Sequence, residues 1–195
     1  VSSNLTYWFN SAYLTGERRS RDIAAFGGDA GLTYVFDTTW EPSLTAAFAY
    51  GSGDADLSDG KDGNFRQSDL QGNSHRFNGV VSMNYLGELF EPEINNIMIF
   101  TAGLGLKPSE KSSVDLVYHY YQQAVASDNL GGSNLEMDPN GLSRDLGHEL
   151  DLVLGYREIE NVSIEGTLGA FVPGNAFQDN ASAAYFANLE VKLRF

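Results

Sequence analysis

The sequence predicts an all-β protein, an antiparallel transmembrane β-barrel with about eight up-and-down strands that belong to a larger barrel in a bacterial outer membrane. Three observations predict this fold: apolar residues recur at every second position, short connections alternate with long ones, and aromatic residues collect near the strand ends. The composition of 195 residues, with 21 Gly and no Cys, suits one such domain. A mean hydropathy of -0.26 is compatible with a membrane barrel, whose hydrophobicity lies on alternate residues.

The last strand has the clearest pattern. From Tyr185 to Phe195 every second residue is apolar or aromatic, and the intervening positions are mostly polar or charged. This period of two predicts a strand with one apolar face. The terminal Phe195 also resembles the C-terminal signal by which the barrel-assembly machinery recognises barrels. We therefore expect that machinery to be a partner.

The same alternation predicts the upstream strands, in order, at 5–14, 24–36, 44–50, 97–106, 114–121, 149–157 and 162–172. They are joined by short turns at 37–41, 107–111 and 158–161 and by longer polar loops at 15–22, 51–94, 125–146 and 173–182. Bacterial barrels have short periplasmic turns and long extracellular loops. The sequence therefore predicts one barrel domain over 1–195, or the C-terminal part of one, with periplasmic termini and a long outer loop at 51–94.

Aromatic residues fall into two groups along these strands, as the two interfaces of a membrane require. One group lies near the periplasmic rim: Tyr7, Trp8, Tyr34, Phe36, Trp40, Tyr156 and Phe195. The other lies toward the outer rim: Tyr13, Tyr50, Tyr118, Tyr120, Phe171 and Tyr185. A soluble antiparallel barrel or sandwich is the alternative, although its strands are usually shorter.

The charge balance excludes one class of partner. Acidic residues outnumber basic ones 26 to 12, which gives a net charge of -14. Nucleic acid binding needs a footprint of Lys and Arg for the phosphates, so no nucleic acid partner is expected.

Charged residues at the inward positions are the candidate lumen and selectivity residues. They are of both signs: Arg21, Arg157, Lys192, Arg194, Glu149, Asp151, Glu165 and Glu190. Opposite charges on neighbouring strands either pair across a filled interior or line a selective channel, and the sequence leaves both readings open. If loop 51–94 folds toward the lumen, its candidate constriction residues are Asp54, Phe65, His75 and Phe77.

Metal and catalytic sites are not predicted. The acidic stretch 54–62 resembles a calcium loop at Asp54, Asp56 and Ser58, but Gly60 comes one residue late and no Glu closes the loop. A solvated loop is the favoured interpretation, with bound calcium as the lesser one. The three histidines share no metal spacing, and no nucleophile and base are readable together, so neither an enzyme nor a cofactor is expected. A protease site at the barrel rim around His148 is a minor alternative.

Three stretches, in this order, resemble the C-terminal part of the alginate-export family of outer-membrane porins. The first is 50–54 followed by Phe65, Leu70, His75, Phe77 and Gly79, the second is 116–121 followed by 147–152, and the third is 169–177. The resemblance implies a monomeric channel that passes an anionic polysaccharide or small organic solutes. Contact with outer-membrane lipids and lipopolysaccharide is expected of any barrel in this membrane.

Two features depart from this resemblance. Eight strands enclose a space only wide enough for side chains, so a polymer channel requires a larger barrel of which this chain is the C-terminal part. The alternative is a small closed eight-stranded barrel with a structural, adhesion or binding role. In addition, a polyuronate conduit should be basic inside, whereas the inward acids here balance the inward bases.

Overall fold

The computed structural model describes residues 4–67, 73–135, 137–178 and 180–195. Leu70, one of the residues that carry the family resemblance, lies outside these ranges. The described residues are all-β, and none of them forms a helix that is long and apolar enough to cross a membrane.

The described residues form eight long strands and three two-residue strands. The long strands are β1 (Leu5–Arg18), β2 (Arg21–Val35), β3 (Ser43–Gly51), β7 (Ile97–Ser109), β8 (Ser112–Gln123), β9 (Asp145–Tyr156), β10 (Val162–Pro173) and β11 (Ala184–Leu193). The short strands, all between β3 and β7, are β4 (Lys61–Asp62), β5 (Ser74–His75) and β6 (Met83–Asn84).

The long strands make one sheet in the order β1-β2-β3-β7-β8-β9-β10-β11, and every neighbouring pair is antiparallel. This confirms the predicted up-and-down topology of about eight strands. Within the described part of the chain β1 and β11 do not pair with each other, so the sheet is a partial barrel with two free edges.

The two faces of the sheet differ as the alternation predicts. One face carries exposed apolar side chains such as Phe48, Leu104 and Leu150, which are 40 to 56% exposed. The other, called here the inner face, carries buried polar side chains such as Thr45 and His119. Apolar residues outward and polar residues inward are the pattern of a transmembrane barrel wall.

The two ends of the sheet also differ. The connections at 36–42, 110–111 and 157–161 lie at one end, called here the short-turn end. The connections at 52–96, 124–144 and 174–183 lie at the other, called here the long-loop end. The alternation of short and long connections is therefore as predicted, with one exception.

The exception is the connection between β1 and β2, which was expected to be a polar loop at 15–22. It is a hairpin turn of only two residues, Arg19 and Ser20, since β1 continues to Arg18 and β2 begins at Arg21. Both turn residues have positive φ, at 50° and 62°. Tight two-residue hairpins require this backbone, and they usually use Gly or Asn there, so the sequence lacked the usual signal.

The connection between β3 and β7 does not project away from the sheet. Its second half, residues 73–96, packs against the inner face and is called here the docked segment. Its side chains Val81, Leu86, Phe90 and Ile94 are all 2% exposed or less. Phe90 stacks on Phe171 of β10, with ring centroids 4.9 Å apart. Burial of a large apolar side chain contributes about 1.5–3 kcal/mol, so these four residues hold the segment firmly.

Two aromatic residues that were placed at the membrane rims belong to this interior instead. Phe171 is fully buried on the inner face, where it contacts Phe90. Trp8 also faces inward, donates from Nε1 to Asp29 at 2.8 Å and stacks on Phe77. Their partners are distant in sequence, which local alternation does not reveal.

Candidate functional site

The sheet wall is shaped to receive the docked segment. Inward positions on several strands are glycines, and side chains of the long connection lie directly over them. A Cβ on Gly155 of β9 would lie 2.6 Å from Cγ2 of Val80, and one on Gly27 of β2 would lie 2.6 Å from the ring of Phe65. Contacts this close exclude a larger residue unless the neighbour moves. The shape of the wall therefore determines where the docked segment packs.

The central anchor of the docked segment is a pair of carboxylates on β9. Glu149 accepts the backbone N–H groups of Leu89 at 2.7 Å and Phe90 at 2.9 Å. Asp151 accepts the N–H of Glu88 at 3.3 Å. The two bonds to Glu149 have the short length of charge-assisted hydrogen bonds, and the bond to Asp151 is longer. These two acids therefore fix the backbone of residues 88–90.

Tyr121 of β8 adds to the same anchor. Its hydroxyl is within hydrogen-bonding distance of the Leu86 carbonyl at 2.9 Å and of Glu149 at 3.2 Å. Since Glu149 and Asp151 are each only 1% exposed, the docked segment covers them. Both lie on the inner face, where they were predicted, but beneath the segment and not on an open surface.

Glu88, inside the docked segment, has a raised pKa. Burial is the largest cause, and the neighbouring carboxylates of Glu91 and Glu149 raise the pKa further. The backbone N–H of Asn84 acts in the opposite direction, because it donates to the charged carboxylate. The anchor is thus an acidic cluster in which backbone N–H groups offset part of the cost of burying negative charge.

A second site lies at the short-turn end of the inner face. A cavity of about 490 Å³ is lined there by Arg76, Lys111, Arg157, Ile159, Glu160, Asn161, Val162, Ser163, Glu165, Lys192 and Arg194, and is called here the basic cavity. Among the described residues that line it, five are cationic and two are acidic. This local balance is opposite in sign to the net charge of -14 of the whole chain.

The wall side of the basic cavity is an ion-pair network between β10, β11 and the end of β9. Arg157 donates to Glu165 at 3.0 Å, and Lys192 contacts Glu190 at 2.7 Å and Glu165 at 3.9 Å. Glu165 and Glu190 are directly opposite each other in the register of β10 and β11. Like charges in such a pair repel, so Lys192 between them relieves the repulsion. The pairs are partly exposed and contribute little to stability.

The structure thus separates the predicted lumen residues into three groups. Arg157, Glu165, Lys192 and Arg194 line the basic cavity, and Glu190 is paired with Lys192 beside it. Glu149 and Asp151 are covered by the docked segment. Arg21 lies at the long-loop end, where it pairs with Asp54 at 2.6 Å. Of the five predicted lumen residues at the short-turn end, three are cationic, so the balance of charge there is basic.

The four predicted constriction residues are spread along the long connection. Asp54 is held by Arg21, and Phe65 is buried over Gly27, both at the long-loop end. His75 and Phe77 pack against Trp8 of β1, with ring centroids 5.5 and 6.0 Å from it. All four belong to a connection that packs on the inner face.

Sequence reasoning missed two of the five cations that line the basic cavity, Arg76 and Lys111. Arg76 lies between His75 and Phe77, both of which were singled out, but no alternation operates in this part of the chain. Lys111 lies in a short turn. The glycines on the inner face were the available signal that a segment packs closely against the wall, since Gly within a strand often marks close backbone approach.

Several carboxylates of the acidic stretch 54–62 have partners within the stretch or close to it. Asp56 accepts from the backbone and side chain of Ser58, and these bonds lower its pKa. Asp62 pairs with Arg66 at 2.9 Å. Within the described ranges, no group of three or more His, Asp or Glu side chains converges as a metal site.

An antiparallel sheet of long strands, apolar outward and charged inward, is part of the wall of a transmembrane β-barrel. The comparison with protein families agrees, because the model of the family described as Alginate export matches residues 1–188. The chain belongs to this alginate export family. Family membership and the sheet together identify the chain as part of an outer-membrane β-barrel.

Curated relatives carry the name Alginate production protein AlgE. The protein from Pseudomonas aeruginosa is 31% identical over 210 residues, which cover 90% of this chain and 41% of the relative. Those from Pseudomonas syringae pv. tomato and Azotobacter vinelandii are 26% and 25% identical, and the matches cover 74% and 80% of this chain and 30% and 36% of the relatives. The chain thus spans less than half the length of these relatives.

Proposed function

We propose that this chain forms part of the wall of an outer-membrane channel that exports an anionic polysaccharide of the alginate class. The observation that carries the proposal is the basic cavity, in which Arg157, Lys192 and Arg194 of the wall face inward in an otherwise acidic chain. A lining of one charge sign concentrates polymers of the opposite sign. The names of the relatives supply the class of polymer.

The orientation follows from the connections. Bacterial barrels place short turns in the periplasm, so the short-turn end and its basic cavity face the periplasmic entrance. A polyanion made inside the cell meets this cavity first. The docked segment enters from the long-loop end and narrows the passage, and the polymer passes beside it.

The open sheet supports a channel wider than eight strands enclose. Since β1 and β11 remain unpaired in the described part of the chain, further strands are needed to close the barrel. Residues 1–195 then form one part of a single barrel domain. The exposed apolar face contacts membrane lipid and lipopolysaccharide, Phe195 serves recognition by the assembly machinery, and the barrel acts as a monomer.

The test uses the full-length protein in planar bilayers. Short alginate oligosaccharides added on the periplasmic side should block the ionic current transiently, and neutral dextran oligosaccharides of equal length should block much less. Lys192→Gln should shorten the blocks. Lys61→Gln, which removes an exposed lysine at the long-loop end, is the matched control and should leave them unchanged. Equal blocking by dextran and alginate would refute the proposal, and passage of small solutes without alginate blocks would indicate a general porin.

A further inference from the structure

Arg76 is the cation of the basic cavity that comes from the docked segment and not from the wall. Its side chain is exposed, and its Nε donates to Ser82 at 3.3 Å within the same segment. Among the described residues Arg76 forms no ion pair, in contrast to Arg157 and Lys192. Its guanidinium is therefore available to a ligand in the cavity.

The position of Arg76 depends on docking of the segment. On one side, His75 pairs with Met83 between β5 and β6 and its ring contacts Trp8. On the other side, the ring of Phe77 stacks on Trp8, and the Asn78 side chain donates to the Glu41 carbonyl at 3.3 Å. Glu41 belongs to a short turn of the sheet, so the segment reaches from the long-loop end to the short-turn end.

We propose that Arg76 is a ligand-binding residue, and that a polyanion in the basic cavity is held jointly by the docked segment and the wall. A ligand carboxylate on Arg76 and another on Arg194 or Lys192 would connect the two parts of the structure. This inference takes its ligand class from the proposed function.

Ligand binding and docking of the segment are coupled, and each favours the other. Arg76 lines the cavity only when the segment is docked, so the ligand binds the docked state more tightly than any undocked one. A ligand that prefers one state stabilises that state by its difference in affinity, and the effect is reciprocal. The substrate therefore holds the segment against the wall, and does not displace it to open the channel.

Hydrogen exchange of the full-length protein in detergent tests this coupling. Short alginate oligosaccharides should slow exchange in peptides from 74–90, by about tenfold if the coupling is of ordinary size. In Arg76→Gln this slowing should be lost, while the wall cations still bind the ligand with reduced affinity. Arg194→Gln is the matched control: binding weakens, but ligand at saturating concentration still slows exchange of the segment.

Each outcome of this experiment either supports or overturns the coupling between ligand binding and docking. Faster exchange on ligand binding, or equal slowing in Arg76→Gln, would overturn the coupling even if alginate blocks the channel. If the alginate oligosaccharides do not bind at all, the proposed function fails, and inorganic tripolyphosphate then serves as the probe. Slowing by tripolyphosphate that depends on Arg76 would support the coupling without the proposed substrate. No slowing by either probe would overturn it.

Discussion

The carboxylate of Glu149 accepts the backbone N–H of Phe90 at 2.9 Å, and neither residue is more than 1% exposed. A strand of the barrel wall, β9, is thereby bonded to the main chain of the connection between β3 and β7. The second oxygen of Glu149 holds Leu89 in the same way. This contact makes the connection a fixed part of the interior.

Replacement of Glu149 by Gln should loosen the docked segment. The amide has only one acceptor oxygen, so one buried backbone N–H loses its partner, which costs about 1–3 kcal/mol. Hydrogen exchange of peptides from 84–92 should become faster, with the exchange of β7 unchanged. Glu110→Gln, in an exposed turn at the short-turn end, is the control. Unchanged exchange in Glu149→Gln would show that the bond contributes nothing to docking.

Replacement of Gly155 by Ala should displace residues near Val80. The new Cβ would lie 2.6 Å from Val80 and 2.9 Å from Val81, and overpacking of this kind costs about 1–3 kcal/mol. Limited proteolysis of the folded protein should then cleave near 78–82. Gly166→Ala is the matched control, because a Cβ there meets only Leu154 at an ordinary 3.7 Å. The same proteolysis pattern in both variants would contradict the tight fit.

Replacement of Glu88 by Gln should stabilise docking at neutral pH. Because burial raises the pKa of Glu88 above its value in the undocked chain, its contribution to docking is most favourable below the undocked pKa. That contribution is lost as pH rises through the docked pKa. We therefore compare how the exchange rate of the segment, corrected for intrinsic exchange, changes with pH above about pH 4.3. This rate should rise less steeply in Glu88→Gln than in the wild type. A steeper rise of the exchange rate with pH in Glu88→Gln than in the wild type would refute the raised pKa of Glu88.

Charge reversal at the basic cavity should change ion selectivity. Arg157→Glu with Lys192→Glu replaces two cations by carboxylates, so the cation-to-anion permeability ratio should increase several-fold. Reversal potentials in a salt gradient measure this ratio, and the effect should shrink near 1 M salt, where the screening length is about 3 Å. Lys61→Glu at the other end is the control. An unchanged ratio in the double variant would place the cavity outside the conduction path.

The sequence predicted the strands and their faces because period-two alternation is local. The alternation identifies β11 and the inward positions of Arg157, Glu165 and Lys192 without knowledge of any partner. It failed for the hairpin at Arg19 and Ser20, where ordinary residues adopt positive φ.

The sequence could not predict that the docked segment covers Glu149, and the reason is different. It depends on a contact with Phe90, and neither residue alone indicates the other. Arg76 likewise joins Lys192 only because the segment between β3 and β7 folds back along the wall. Such long-range packing leaves only indirect signs in the sequence, such as the inward glycine at position 155.

The docked segment has a consequence for the order of folding. Its principal partners, Glu149 and Phe171, lie on strands that follow it in the chain. The segment therefore docks fully only when β9 and β10 are in the sheet, and until then Phe90 lacks the partners against which it is buried. Contacts between distant parts of a chain form slowly, and exposed apolar side chains favour aggregation. Closure of the interior is thus a late step in assembly, and the interval before it is when the chain most needs a chaperone.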